Sequence, residues 1–220
     1  MIDARCFTVG PVQENCYVVR RQGSDRAVIV DPGDEAPRLL AAIEQLGLTL
    51  EAILLTHTHF DHVGAVAPVA RATGVPVWCP EIEREVLADI MRFVPWPGFG
   101  PFESYEADHL VSGGETLHLA GMRFDVVFTP GHSPGHVTYA VTADDAEPGT
   151  PPALLSGDVL FQGSIGRTDL PFGDHERLLQ SISELLAAYP DETVVHPGHM
   201  GITTLGAERT HNPFLQALAR

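Results

Sequence analysis

Basic side chains are scarce in this chain of 220 residues: 13 Lys and Arg face 29 Asp and Glu, for a formal net charge of −16. A surface that anionic repels phosphate backbones and anionic lipid, which sets nucleic acid and membrane aside as primary partners. The basic patches that a metal-dependent nuclease needs are missing too. No stretch reaches the roughly 18 consecutive apolar residues of a membrane span. The opening Met1-Ile2-Asp3-Ala4-Arg5 has neither a basic start nor an apolar run, so no targeting segment is expected. Cysteine is sparse as well. Cys6, Cys16 and Cys79 are scattered and odd in number, without CxxC spacing; they read as small buried hydrophobes and suit a reducing cytoplasm, the expected location.

What is present describes an ordinary globular protein, 44% hydrophobic and 19% charged, long enough to bury a full core. Short extended runs alternate with amphipathic helices. Asn15–Val19 and Ala27–Val30 read as strands, the second stopped by Asp31-Pro32-Gly33. Leu39, Leu40, Ile43 and Leu46 recur at helical spacing, with Gly47 as a stop. Ala52–Leu55 is wholly apolar, as a central strand is. A second helix carries Val63, Val66 and Val69, and Val75–Trp78 resumes extended structure. Glu81 to Met91 reads as helix. Pro95-Trp96-Pro97-Gly98-Phe99-Gly100-Pro101-Phe102 cannot be regular structure; it is either a loop inserted near the site or a surface connection packed by its own aromatics. Further strands are expected at Glu115–Leu119, Arg123–Thr129, Val137–Thr142, Ala153–Ser156 and Thr193–Val195, with a helix from about Asp174 to Tyr189. The second half thus repeats the first in outline, and residues 1–220 read as one domain.

Histidine is unevenly placed: three of the 11 fall between His57 and His62. The pattern His57-x-His59-x-Asp61-His62 directly follows an apolar strand. Alternation in an extended segment puts His57, His59 and Asp61 on one side, and a turn can bring His62 to the same cavity. Four N/O ligands in six residues exceed what one tetrahedral metal takes from one segment; two neighbouring ions sharing later ligands use them all. Three later segments end a short apolar run in glycine beside a candidate ligand: Gly131-His132, Gly157-Asp158 and Gly198-His199. Glycine lets the backbone turn and approach closely there.

The ordered set His-x-His-x-Asp-His, Gly-His, Gly-Asp and Gly-His resembles the metallo-β-lactamase superfamily over residues 10 to 200. That resemblance implies an α/β fold, an αββα sandwich of two mixed sheets flanked by helices, with metals at one edge. By position, His57, His59 and His132 match the ligands of a first metal. Asp61, His62 and His199 match those of a second, and Asp158 matches the bridging carboxylate. Asp31 matches an aspartate that orients a ligand histidine. His136 and His196 are expected to be structural, and His109, His118, His175 and His211 ordinary. No cysteine holds a ligand position, so antibiotic hydrolysis is not expected.

Two divalent ions can share a water and lower its pKa toward about 7, giving a bridging hydroxide nucleophile at neutral pH. Zinc is the expected metal, with iron or manganese as alternatives. Asp61 and Asp158 are the expected catalytic carboxylates. A soft thiolate leaving group favours a thioester. The segment Val159–Asp169 and the tail Thr204–Phe214 resemble short, single-domain glyoxalase II of bacteria, which implies hydrolysis of an S-2-hydroxyacylglutathione such as S-lactoylglutathione. In that branch Arg167 lies near a glutathione carboxylate; a salt bridge to Asp169 is the alternative. Longer glyoxalase II enzymes add a C-terminal helical domain for glutathione; only residues 200–220 follow His199, so that domain is not expected. Rival readings are a mononuclear-iron persulfide dioxygenase using His57, His132 and Asp158, and a lactonase or esterase on the same scaffold.

Overall fold

The computed structural model describes residues 1–94 and 96–216. Pro95, in the expected aromatic loop, lies outside the described residues. The first half lays down β1 (Ile2–Val9), β2 (Glu14–Arg21), β3 (Arg26–Val30), α1 (Ala36–Gln45), β4 (Thr49–Leu54), α2 (Phe60–Val63), α3 (Val66–Thr73) and β5 (Val77–Pro80). A 3₁₀ turn, α4 (Arg84–Ala88), α5 (Ile90–Phe93) and β6 (His109–Val111) follow. The second half supplies β7 (Thr116–Leu119), β8 (Met122–Phe128), β9 (Val137–Ala143), β10 (Ala153–Gly157), the hairpin β11 (Leu160–Phe161) and β12 (Ser164–Ile165), α6 (His175–Ala188), β13 (Val194–Pro197), β14 (Thr203–Thr204) and α7 (Leu205–His211). One six-stranded sheet runs β1-β2-β3-β4-β5-β6, the other β14-β13-β10-β9-β8-β7. Both mix parallel and antiparallel pairs.

Period-two alternation explains how the layers stack. In β3, Val28 and Val30 join Ala52 and Leu54 of β4 in a core with Phe124, Val137 and Tyr139 of the other sheet. Their alternates Ala27, Ile29 and Ile53 face the opposite way, against Leu39 and Ile43 of α1 and Val66 and Val69 of α3. A third core sets Leu178, Ile182 and Leu185 of α6 on Leu154 and Val195 of the second sheet. Two sheets face each other and helices cover their outer sides, the expected αββα layering. Among the described residues, no helix is long and apolar enough to cross a membrane.

Several elements depart from the sequence reading. β1 went unforeseen because its side chains are mostly half-buried or exposed, so no alternation marks it; its pairing with β2 along eight residues holds it. The helix expected across Val63–Val69 is two pieces. The break falls at Ala65, φ −104° and ψ 3°, next to Gly64, where a Cβ would strike the Gly33 carbonyl and the Phe102 ring. The helix expected over Glu81–Met91 breaks at Asp89, whose ψ of 60° is not helical. Residues 96–102 are irregular as expected, and Phe99 and Phe102 pack on Phe60. Cys16 and Cys79 are buried, but Cys6 is exposed on β1.

His196 sits in β13, its ring edge-on to Tyr17 and its Nδ1 without a hydrogen-bond partner. Burial pushes it from 6.5 down to about 4. The unfolded chain therefore binds a proton that the native state refuses, so stability is full above pH 6.5 and falls as pH drops toward 4. His196→Leu should remove about 2–3 kcal/mol of that acid loss in denaturation measured across pH 4 to 7. Parallel curves for the two proteins would mean that His196 is protonated in the folded state.

Candidate metal centre

Every ligand-type residue follows the end of a strand. β4 stops at Leu54, a loop carries His57 and His59, and Asp61 and His62 lie in the one turn of α2. The expected alternation therefore does not align His57, His59 and Asp61. A loop and a helical turn do so instead, because the strand ends two residues before Thr56. His132 lies between β8 and β9, Asp158 just past β10, and His199 just past β13. Asp31 ends β3 in a left-handed conformation, φ 50°, which aspartate tolerates better than most residues.

The folded chain brings all seven together. Ligand atoms of His57, His59 and His132 lie within 4.8 Å of one another, and so do those of Asp61, His62 and His199. Asp158 spans the two sets: Oδ1 is 3.3 Å from His62 Nε2, and Oδ2 is 3.4 Å from His132 Nε2 and 3.6 Å from His199 Nε2. Asp61 Oδ2 is 3.3 Å from His199 Nε2. Asp31, His57 and His62 form a third group, but Asp31 is already engaged. Its carboxylate accepts from the Thr56 amide and hydroxyl, at 2.8 and 2.6 Å, and from His62 Nδ1 at 3.0 Å.

The hydrogen bonds on the far sides of the rings decide their tautomers. His62 Nδ1 donates to Asp31, His132 Nδ1 to the Arg167 carbonyl at 2.8 Å, and His199 Nδ1 to the Gln13 carbonyl at 3.2 Å. Thr56 donates its proton to Asp31, so His57 Nδ1 must donate to Thr56 Oγ1, at 3.1 Å. Each of these four rings then turns an unprotonated Nε2 inward. His57 Nε2 is 3.1 Å from His59 Nδ1, which is 2.8 Å from His132 Nε2. A proton on His59 Nδ1 could serve only one of these two neighbours at a time, whereas a cation between them would serve all three nitrogens. His62 Nε2 and Asp158 Oδ1 are buried with no hydrogen-bond partner, a state that costs free energy when nothing is bound. The donor set therefore fits divalent metal.

The electrostatics keep His57 and His59 neutral, whereas the carboxylates around His62 favour a further proton on its Nε2, a place that a bound cation would take instead. Burial, aided by neighbouring histidines, holds His57 far below its ordinary value and pushes His59 down to about 3, so both offer lone pairs. Burial also opposes charge on His62, but Asp158 and Asp61 outweigh it and raise that ring. Burial likewise disfavours the Asp158 carboxylate, yet His62 and His132 hold it far below the carboxylate range.

A family model described as the metallo-beta-lactamase superfamily matches residues 9–199. The chain belongs to that superfamily. It is a metallo-hydrolase of the superfamily's αββα fold, with His and Asp clusters suited to metal. The probable metallo-hydrolase YqgX of Bacillus subtilis is 41% identical over 98% of each chain. The hydroxyacylglutathione hydrolase GloC of Haemophilus influenzae is 37% identical over 93% of this chain and 94% of its own. Among solved structures, the BLEG-1 B3 metallo-beta-lactamase superposes at TM-score 0.87 with 42% identity, over 98% of this chain and 99% of its own. TTHA1623 in a di-iron-bound form gives TM-score 0.81 with 42% identity, over 96% and 100%.

Other residues fall outside the metal clusters of this superfamily member. His136 Nε2 accepts the Asp158 amide at 3.0 Å and so holds the backbone of that carboxylate. His109 stacks on Trp78, His118 pairs with Asp144, and His175 and His211 lie at helix ends. The Arg167 guanidinium forms a two-pronged pair with Asp169, both bonds 2.7 Å, and lies 5.6 Å from the centre of the Trp96 ring. Two buried acids escaped the sequence reading. Both oxygens of Glu14 lack partners, 3.8 Å separates Oε1 from His62 Nδ1, and burial raises its pKa well above the usual range. Glu83, in the Glu81–Met91 stretch read as helix, is buried. Its Oε2 accepts from the Thr58 amide and hydroxyl at 2.6 and 2.9 Å, and its Oε1 from the Gly135 amide at 2.9 Å and the Ser133 hydroxyl.

Glu83 thereby clasps the His57–His59 loop to the His132 loop. Glu83→Ala leaves three buried donors, the Thr58 and Gly135 amides and the Ser133 hydroxyl, without an acceptor and should weaken metal affinity about 10–100-fold, with Glu83→Gln in between. Chelator competition on folded protein checks it. Wild-type affinity in a folded Glu83→Ala protein would mean that the loops keep their places unaided.

Proposed function

We propose that this chain hydrolyses a thioester of the S-2-hydroxyacylglutathione type at a centre of two divalent ions. The carrying observation is the pair of ligand groups, His57, His59 and His132 beside Asp61, His62 and His199, with Asp158 reaching into both. A mononuclear centre built on His57, His132 and Asp158 would leave the second group idle. Imidazole and carboxylate donors serve zinc, iron and manganese; we take zinc as the resident metal, and the di-iron form of TTHA1623 supports the alternative.

Bound ions would supply Lewis acidity and a water activated at neutral pH. The chain supplies the rest. Asp61, with one oxygen beside His199, orients the attacking water and takes up its proton at the carboxylate. Asp158, its backbone fixed by His136, keeps the two ligand groups at one spacing. Arg167 lines the adjoining cavity and is our candidate for contact with a substrate carboxylate, which would compete with Asp169 for its fork. The likeness to GloC supports the thioester reading. The likeness to BLEG-1 favours β-lactam hydrolysis as the second reading.

Metal analysis of the purified protein should find about two ions per chain, with turnover of S-lactoylglutathione. Asp158→Ala should lower metal content and cut kcat/KM at least about a hundredfold, roughly 2.7 kcal/mol of barrier. Normal turnover by a metal-depleted Asp158→Ala protein would sink the two-ion mechanism. Cleavage of a β-lactam without thioester turnover would establish the second reading.

A further inference from the structure

A cavity of about 790 Å³ opens beside the metal centre, with His59, Asp61, His132, Asp158 and His199 in its wall. Away from those groups its walls are mainly apolar. Ile82, Phe93 and Trp96 come from the α4–α5 region and the loop after it, and Phe161, Ile165 and Phe172 from the hairpin β11–β12 and the chain beyond. Eleven large apolar side chains are exposed among the described residues, and five of them (Ile82, Phe93, Trp96, Phe172 and Met200) line this one cavity. Apolar surface gathered in one concave place marks a ligand site rather than chance exposure.

The charged groups of the wall narrow the ligand. Outside the metal ligands they are Glu83, Glu85, Arg92 and Arg167. Glu83 is buried in its clasp. Glu85 is exposed and repels a carboxylate, the Arg167 fork is paired with Asp169, which a single substrate carboxylate would have to displace, and the Arg92 guanidinium lies over the Phe93 ring at 5.4 Å. The wall therefore matches an extended apolar group far better than a chain of carboxylates. A lactoyl group, a handful of atoms with a hydroxyl, would leave most of the space to water. Thiol carriers are hydrophilic, so in a thioester the part that suits this wall is the acyl chain.

We propose that the preferred substrate is a thioester with a large hydrophobic acyl group, held in this cavity with its carbonyl at the metal centre. The inference rests on the thioester reading and specifies the acyl class. In the reaction, water oxygen bonds to the acyl carbon and the C–S bond breaks. The thiolate leaves with the electron pair and takes one of the water protons, and the acyl group departs as a carboxylate with the other proton released.

The test is a series of S-acyl-N-acetylcysteamines on the metal-loaded enzyme, from acetyl through butanoyl and hexanoyl to octanoyl, with S-lactoylglutathione alongside. Burial of each added methylene should raise kcat/KM by up to about fourfold until the cavity fills. Trp96→Ala and Phe172→Ser should each shrink the octanoyl-to-acetyl ratio severalfold. Both side chains are exposed, so the fold should survive the changes. Binding of the octyl thioether analogue should alter tryptophan fluorescence in wild type and not in Trp96→Ala. A flat or falling series, with S-lactoylglutathione still cleaved, would overturn the hydrophobic-acyl inference and leave the thioester reading standing. No turnover of any thioester by fully loaded enzyme would overturn both.

Discussion

Five imidazoles and two carboxylates meet at one edge of this sandwich, and their mutual repulsion is the constraint around which the rest is arranged. Rings this close must not all carry inward protons, and bare nitrogens must not face one another without a cation. The fold meets the first condition by giving four of the rings an acceptor on the far side. Asp31 serves His62, Thr56 serves His57, and the carbonyls of Arg167 and Gln13 serve His132 and His199. The second condition makes metal part of the structure as well as of the chemistry, since His62 Nε2 and Asp158 Oδ1 are otherwise buried without partners.

Holding that arrangement requires ties between loops, both within one sheet and from one sheet to the other. Thr56 belongs to the segment after β4, and its contact with Asp31 at the end of β3 locks two neighbouring strand ends. Glu83, after β5, reaches across to the loop between β8 and β9. Gly198 shows how tight the packing is: a Cβ there would collide with Asp158 Oδ1 and come within 2.7 Å of His62 Cε1. A precise site on loops thus depends on buried side chains that bind nothing themselves.

The two sides of the site differ in character. Toward the core, the rings sit among threonines, carbonyls and carboxylates that fix their orientation. Toward solvent, the same metal ligands border a broad apolar cavity. Such a cavity lowers the local dielectric around the reacting carbonyl, which strengthens the electrostatic action of the charged groups beside it.

The sequence alone determined the chemistry and the layering, because both are written locally. A hexapeptide with three histidines and an aspartate, and three glycine-flanked ligands after apolar runs, name the donors and their order. Wholly apolar runs in Ala27–Val30 and Ala52–Leu55 name strands buried on both faces. Short-range pattern failed where long-range pairing rules, as in β1, and it misjudged how His57, His59 and Asp61 align, because the strand before them ends early. Only the tertiary structure decided which far-side acceptor each ring has, since a backbone carbonyl is present in every residue and leaves no mark in composition. It alone decided that Glu83 and Glu14 are buried while neighbouring acids face water, because burial depends on what the rest of the chain stacks above them. The cavity belongs to the same class: its wall joins segments some 80 residues apart in sequence, such as Trp96 and Phe172, and only packing brings them to one place.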